Sequence, residues 1–380
     1  MEAFFWICLL GIVYAYFGYP LVLMLLGWLK DVLLDRENAL YTENEAPSLS
    51  VIIPAHNEGE VIAEKLRNTL SLYYPGELEI VVISDGSVDN TAEVVQTFCN
   101  DDRLIFLNLK ERKGKANALN MGLEKARGEI IVFSDASIIL DERALWEIAQ
   151  PFAESSIGCV SGEDLIKEGG GESLYGKYEL YLRNQESRIG SIVGASGSFY
   201  AQRKHLVKSF LEGGAPDFLS VLNTVEKGYR AISTSSAFGH MTAVASTKDE
   251  FRRKVRTLIR GMTALFEKRS LLNPYRYPMF SFFLISHKLM RWWVPFFLLG
   301  LLGFNVFLID QPFYLVFLCL QGGFYLLATL VYLQVQPVCG SLPGKVALYF
   351  TAVNTAILFA WVRYFLGVRQ EIWSPSKRAS

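Results

Sequence analysis

Residues 3–29, AFFWICLLGIVYAYFGYPLVLMLLGWL, carry no charged side chain. The run is longer than the ~20 residues a helix needs to cross the hydrocarbon core, so it predicts a transmembrane anchor over residues 1–30. A cleaved signal peptide fits less well, because the run is too long, follows Glu2 rather than a basic stretch and lacks a small-residue cleavage site. With 51% hydrophobic and 13% aromatic residues the chain is greasier than a soluble domain, and its second apolar concentration lies at the other end. Residues 280–309 are apolar except for His287, Lys288 and Arg291, a pattern that predicts an interfacial helix up to about Met290 and a crossing over 292–309. Residues 312–335 and 346–365 are two further candidate crossings.

Basic residues beside these runs orient the chain. Lys30 and Arg36 after the first run, and the arginines within 252–269 before the second, place the central region in the cytoplasm and the N-terminus outside. Three later crossings would leave the C-terminus outside, whereas Arg363, Arg369, Lys377 and Arg378 favour the inside, so the number of C-terminal crossings stays open. The expected organisation is an anchor (1–30), a globular domain (48–270), a membrane region (274–367) and a basic tail (368–380). A net charge of −1 provides no global field for nucleic acid. Five cysteines without paired spacing argue against both a zinc site and a disulfide framework.

Within the globular region, short apolar strands alternate with helices. Strands are expected at 49–54, 78–84, 104–107 and 129–134, and helices at 60–72, 92–98 and 115–126, the second capped by Asp89-Asn90-Thr91. Strands apolar throughout and separated by helices argue for a parallel sheet covered on both faces, with ligands outside the strands' carboxyl ends. Three of these strands end in polar residues that a buried strand does not need: Pro54-Ala55-His56-Asn57-Glu58, Asp85-Gly86-Ser87 and Asp135-Ala136-Ser137. Gathered at one sheet edge, Asp85, Asp135 and Glu58 would repel one another unless a cation or ligand donors stood between them. Asp135 suits a hard ion, Mg²⁺ or Mn²⁺, that takes its other ligands from phosphate and water. Arg112-Lys113-Gly114-Lys115 before a helix offers basic groups and backbone amides to a phosphate. Taken singly, Asp-Gly is a common turn, Asp-Ala a common helix cap and Gly-Lys no P-loop; their order and placement carry the argument.

The segments SVIIPAHNE (50–58), VVISDGSVDNTAEV (81–94), GKANALNMGL (114–123), VFSDAS (132–137), GASGSFYAQRK (194–204), PDFLS (216–220) and EKGYRA (226–231) resemble membrane-attached bacterial family 2 glycosyltransferases over about residues 50–270. The resemblance implies a GT-A fold, a Rossmann-like, mostly parallel α/β sheet, with transmembrane helices at both ends. It implies an inverting transfer of a sugar from a nucleotide-sugar, a UDP-sugar being the expected donor, to a lipid-linked or growing glycan acceptor at the bacterial inner membrane, with Mg²⁺ or Mn²⁺ as cofactor. By the same resemblance Pro54, Ala55, Asn57, Glu58 and Asp85 hold the base and ribose, Lys115 lies near the nucleotide, Asp135 coordinates the metal, Asp217 is the catalytic base, and Gly194, Ser196 and Gly197 line the acceptor side. Ser84 and Ser137 stand where many relatives carry further acids, and a Q-x-x-R-W signature is missing. In its region Arg252, Arg256 and Arg260 form a stripe that could hold the diphosphate, a lipid phosphate or the anionic leaflet, or be a plain juxtamembrane cluster. His56 reads as loop polarity and His240 as a conceivable second metal ligand. Two other readings remain: transfer of one sugar onto polyprenyl phosphate, and an inactive membrane scaffold.

Overall fold

The computed structural model describes residues 1–33, 39–166, 171–242 and 247–368. Arg36 and the tail from residue 369, with Arg369, Trp373, Lys377 and Arg378, lie outside the described residues. The strands are β1 (Leu49–Ala55), β2 (Leu78–Asp85), β3 (Leu104–Leu109), β4 (Ile130–Ser134), β5 (Ile139–Leu140), β6 (Ile157–Ile166), β7 (Phe199–Arg203) and β8 (Arg230–Met241). They form one eight-stranded sheet in the order β3-β2-β1-β4-β7-β6-β8-β5.

The half that begins the chain is parallel throughout, β1 pairing with both β2 and β4, and β2 with β3. Its central strands explain their own composition: every residue of β1 and β4 is buried, so neither face has room for the polar alternation of a solvated sheet. The helix Lys115–Lys125 covers one face, where a Cβ on Gly122 would lie 2.8 Å from Ile52 and 2.9 Å from Ile83, so this helix sits as close to the sheet as a glycine allows. Beyond β4 the sheet becomes mixed. β7 runs antiparallel to β4 and to β6, while β6 and β8 are again parallel.

Four helices among the described residues are long and apolar enough to cross a membrane: Glu2–Leu33, Pro278–Val306, Pro312–Tyr332 and Leu342–Phe365. Pro278–Val306 is one helix with a π-helical turn at Leu284–Leu289, where the sequence predicts an interfacial helix ending near Met290. The chain itself, rather than a lipid surface, meets the charged residues that suggest the break. Arg291 pairs with Glu179, and His287 lies 2.6 Å from Glu186 and 3.1 Å from Glu179. Both glutamates stand on the helix Gly171–Ile189, and Glu186 also accepts a 2.6 Å hydrogen bond from Tyr19 of the N-terminal helix. Buried charges persist when each finds a partner of this kind, and here the partners fasten the sheet domain to two apolar helices. Lys30 adds a second fastening by donating to the carbonyls of Arg188 and Ile189 at the end of that same helix.

Candidate active site

Because β1, β2 and β4 are parallel neighbours, their carboxyl ends open on one edge of the sheet. The first two strand-end loops are stitched together there. His56 Nδ1 lies 2.7 Å from the Asp85 carbonyl, Asn57 N donates to Ser87 Oγ at 3.2 Å, and Val88 N donates to Asn57 Oδ1 at 2.9 Å. Glu58 N donates to Thr91 Oγ1 at 2.9 Å and Gly59 N to Asp89 Oδ2 at 3.0 Å. Asp89 also accepts from Thr91 N at 3.0 Å, so within the expected Asp89-Asn90-Thr91 cap the aspartate orders the helix entry, while Asn90 at the N-cap makes no side-chain bond. His56 is thereby a buried loop fastener.

Asp85 is 1% exposed. Its Oδ1 accepts from Lys113 N at 2.9 Å and its Oδ2 from Gly114 N at 2.7 Å. The Lys113 and Gly114 amides of the loop expected to face a phosphate are therefore turned inward onto a buried carboxylate that needs donors. Asp85 shapes the wall of the strand-end cleft by holding that loop. Gly86 follows from the same fold-back. It has φ +58°, and a Cβ there would lie 2.4 Å from Arg112 N and 2.7 Å from Glu111 C. Gly86→Ala is expected to lower stability by at least about 2 kcal/mol, since positive φ and a backbone clash add, and a thermal unfolding comparison measures it. Ser84 is fully buried and hydrogen-bonded to Ser87 Oγ at 3.0 Å, which places it outside the ligand space. The Ala55 side chain is buried as well.

Pro54, Lys115, Asp135, Gly197, Tyr200 and Asp217 surround a cavity of about 20 Å³ at the ends of β1 and β4. Lys115 Nζ and Asp135 Oδ1 are 2.5 Å apart across it, and Lys115 also reaches the Gly197 carbonyl at 3.5 Å. Asp217 arrives from the first turn of the helix Pro216–Glu226, whose N-cap is Ala215 rather than an acid. Burial pushes the Asp217 carboxyl above its ordinary value, offset in part by Lys115, by the amides of Asp217 and Phe218, and by Lys288. A Cβ on Gly197 would lie 3.8 Å from Asp217 Oδ2, so the glycine keeps that carboxylate's approach open. Ser196 serves the loop instead, since its Oγ accepts from Ser198 N and Phe199 N at 3.2 Å each and turns the chain into β7.

A divalent ion fits this donor set only in company with a diphosphate. Asp135 offers a single carboxylate, and no group of three His, Cys, Asp or Glu among the described residues could hold an ion alone. Mg²⁺ and Mn²⁺ are held in this way, by one or two carboxylates together with substrate phosphates and water. His240 lies on β8 with its ring edge-on to Phe238, at 5.7 Å between centroids.

Lys65 carries no signal in the sequence, where it reads as a solvated position of an amphipathic helix. In the structure it is fully buried on the helix Ile62–Ser71, and it donates to Ser134 Oγ at 2.7 Å and to the Ile138 carbonyl at 2.9 Å. It thus ties Ser134 and Ile138, on either side of Asp135, to this helix. Burial lowers its pKa to about 7 from 10.5, with Asp135 opposing the shift. The unfolded chain takes up that proton near 10.5 and the folded chain only near 7, so this group makes stability rise with pH between those values. Lys65→Met is expected to remove that pH slope, with little change in stability near pH 7, and to lower kcat/KM by roughly 10–100-fold, because the segment that carries Asp135 loses a support. Unfolding curves between pH 6 and 9, set beside steady-state rates, check both halves.

A second cavity, about 140 Å³, opens on the far side of Asp217 and is lined by Gly194, Phe218, Thr257, Lys288 and Trp292 among others. Asp217 is therefore common to both cavities. The helix Thr247–Glu267 turns Thr257, Leu258 and Gly261 towards this space; Arg256 and Arg260 are not in its wall, and Arg252, Arg256 and Arg260 each have interactions within the chain. Helical phase decides this, because Thr257 and Gly261 lie one position past each arginine and so about 100° around the axis. A larger cavity of about 690 Å³ near Lys30, Arg188 and Arg230 contains none of the strand-end acids.

Residues 50–209 match the family described as Glycosyl transferase family 2. Poly-beta-1,6-N-acetyl-D-glucosamine synthase of Staphylococcus epidermidis is 30% identical over 191 residues, 48% of this chain and 46% of that one. The enzyme of the same description from Staphylococcus aureus strain COL is 30% identical over 184 residues, 44% of each chain. The match spans a little under half the length of these curated relatives. Among solved structures, mannosyltransferase PcManGT from Pyrobaculum calidifontis, in complex with GDP-Man and Mn²⁺, superposes with a TM-score of 0.72 over 96% of this chain and 99% of that chain, at 22% identity. That likeness is one of fold, and it takes in the apolar helices as well as the sheet domain.

Proposed function

Residues 50–209 of this chain are a family 2 glycosyltransferase domain on a GT-A fold, and from that premise we propose that the protein is an inverting, membrane-embedded glycosyltransferase. It takes a nucleotide-sugar, with a UDP-sugar the expected donor, and passes the sugar to a lipid-linked or growing glycan acceptor. The observation that carries this reading is the position of Asp217 between two cavities, one holding the Lys115–Asp135 pair at the strand ends and one reaching Lys288 and Trp292 of the Pro278–Val306 helix. A transferase with a soluble donor and a membrane-borne acceptor needs one base accessible from both sides.

In this reading Asp217 removes the proton of the attacking acceptor hydroxyl, and burial has raised its affinity for that proton. Lys115, which bridges to Asp135 across the cavity, turns to the diphosphate as the leaving group acquires charge. A divalent ion held by Asp135 and the diphosphate would supply further charge stabilisation for that leaving group. Pro54, Asn57 and Glu58 form the side of the cleft where the nucleoside lies, and Asp85 acts there through the loop it holds. The relatives support polysaccharide synthesis as the setting, and PcManGT, with GDP-Man and Mn²⁺, supports testing guanosine donors beside uridine ones. We place the sheet domain in the cytoplasm, on the basic residues between it and the adjoining apolar helices, and the apolar helices in the bacterial inner membrane, on their length and composition.

Transfer onto a phosphate oxygen is the second reading, favoured by the closeness of Lys288 to Asp217. A phosphate oxygen needs no base, so the two readings part on Asp217. Native membranes supplied with radiolabelled UDP-, GDP- and TDP-sugars, with and without Mn²⁺, are expected to yield metal-dependent label in the lipid extract or polymer. Purified protein that neither binds nor hydrolyses any sugar nucleotide would leave only an inactive scaffold.

A further inference from the structure

The cavity of about 20 Å³ beside Asp217 is walled in part by Tyr200, whose ring is held firmly and whose hydroxyl is not. The ring stacks on Phe133 at 4.7 Å and 23°, and Phe133 in turn meets Phe210 edge-on at 5.5 Å. Tyr200 is 2% exposed, and its Oη is buried with no hydrogen-bond partner among the described residues. Ser220 Oγ, one turn after Asp217 on the helix Pro216–Glu226, is its neighbour and is likewise buried and unbonded. Turning the two hydroxyls towards each other does not settle the account. Each carries one proton, so a single donation between them still leaves a second proton without an acceptor. Asp217 is the acid that acts on the phenol most strongly, ahead of Cys159 and Asp135. A buried hydroxyl without an acceptor destabilises the resting fold, and a partner that comes into reach during the reaction offsets that cost.

We infer that the Tyr200 hydroxyl positions the Asp217 carboxylate for proton transfer, donating to one carboxylate oxygen while the other faces the acceptor. The inference rests on the reading of Asp217 as the base, and it makes Tyr200 a positioning residue that itself exchanges no proton with substrate. Both side chains line the same small cavity, and hydrogen bonds of a catalytic group commonly shorten only once substrate is bound. Burial pushes the Tyr200 phenol well above its ordinary value, so it stays protonated and remains a donor. A donor to the ionised carboxylate opposes the burial that favours the neutral acid, as Lys115 and Lys288 already do from the two cavities. Those lysines attract the charge from flexible stems. The phenol, fixed by its stacked ring, aims an oxygen.

The test compares the native full chain with Tyr200→Phe, Asp217→Asn and the double variant. Sugar transfer is measured in native membranes with the radiolabelled sugar nucleotide that the native chain turns over, and UDP binding, GDP binding and thermal unfolding on protein purified in dodecyl maltoside. Tyr200→Phe keeps the ring and its stacking. It is expected to lower kcat by roughly 10–100-fold, the loss of one hydrogen bond to a charged group, with KM for the sugar nucleotide within about twofold of native. Because an unbonded hydroxyl is removed, Tm is expected to stay level or rise. In the Asp217→Asn background the same substitution is expected to cost less than about threefold, since the hydroxyl acts through that carboxylate. Native kcat in Tyr200→Phe overturns the inference and leaves Asp217 as the base. So does a fall in Tm that accompanies the lost activity, which makes the tyrosine a packing residue. An undiminished loss in the Asp217→Asn background places the hydroxyl on the substrate and overturns it as well. Native activity in Asp217→Asn removes the base, and the inference with it. A native chain that binds neither UDP nor GDP and transfers no sugar ends the transferase reading, and with it any proton for the carboxylate to take.

Discussion

Asp217→Asn is expected to lower kcat by about 10²–10⁴-fold while nucleotide binding stays close to native, because the substitution keeps the shape of the carboxylate and removes its basicity. Asp217 lies in the first turn of the Pro216–Glu226 helix, where Ala215 is the N-cap, so it is not required to cap that helix. A stability loss should accordingly be small. The pH profile provides an independent readout. Since burial raises the Asp217 carboxyl above the ordinary range, activity falls on the acid side as pH drops through that raised value, where the base becomes protonated. Lys115 lowers the same carboxyl, so Lys115→Met shifts the acid limb to higher pH in addition to weakening the reaction. If Asp217→Asn keeps activity within about threefold of native, well short of the loss expected for a general base, the acceptor atom is a phosphate oxygen.

Asp135→Ala is the second large effect, a fall in kcat/KM of about 10²–10³-fold with loss of any stimulation by Mn²⁺. Removing this side chain takes away the carboxylate that faces the cavity beside Lys115. Lys115→Met alone should cost less, because the ion and the lysine act on the same diphosphate. The double variant should be less impaired than the product of the single effects, as expected for groups that share one ligand. Steady-state rates over a Mn²⁺ titration separate these cases: a metal requirement that persists in Asp135→Ala assigns the ion to other ligands.

The parallel half of the sheet is legible in the sequence because each strand is a short apolar run closed by turn residues. β1, β2, β3 and β4 fall within two residues of their expected bounds. The mixed half is not, since β6 and β8 contain Glu163, Asp164 and a run of serines that no two-residue alternation explains. At the site, parallel order alone brings the ends of β1, β2 and β4 together, and the structure sets Lys115, Asp135 and Asp217 about one cavity. Asp85 shows what residue spacing leaves out. A strand-end acid reads naturally as a ligand contact, yet only a three-dimensional fold-back of residues 111–114 gives its two oxygens their amide partners. Lys65 and Lys288 escape for the opposite reason. Each stands on a helix where a lysine is usually solvated or snorkelling, and only the packing around it reveals a buried brace in one case and part of the wall of the Asp217 cavity in the other.

The central claim, that Asp135 and Lys115 mark the place of a metal-bound diphosphate beside Asp217, is tested most directly by crystals grown with UDP or GDP and Mn²⁺ and measured at the manganese edge. The account predicts one anomalous peak within coordination distance of Asp135, with the diphosphate between that ion and Lys115. Nucleotide bound elsewhere on the domain, or a manganese peak away from Asp135, would contradict it.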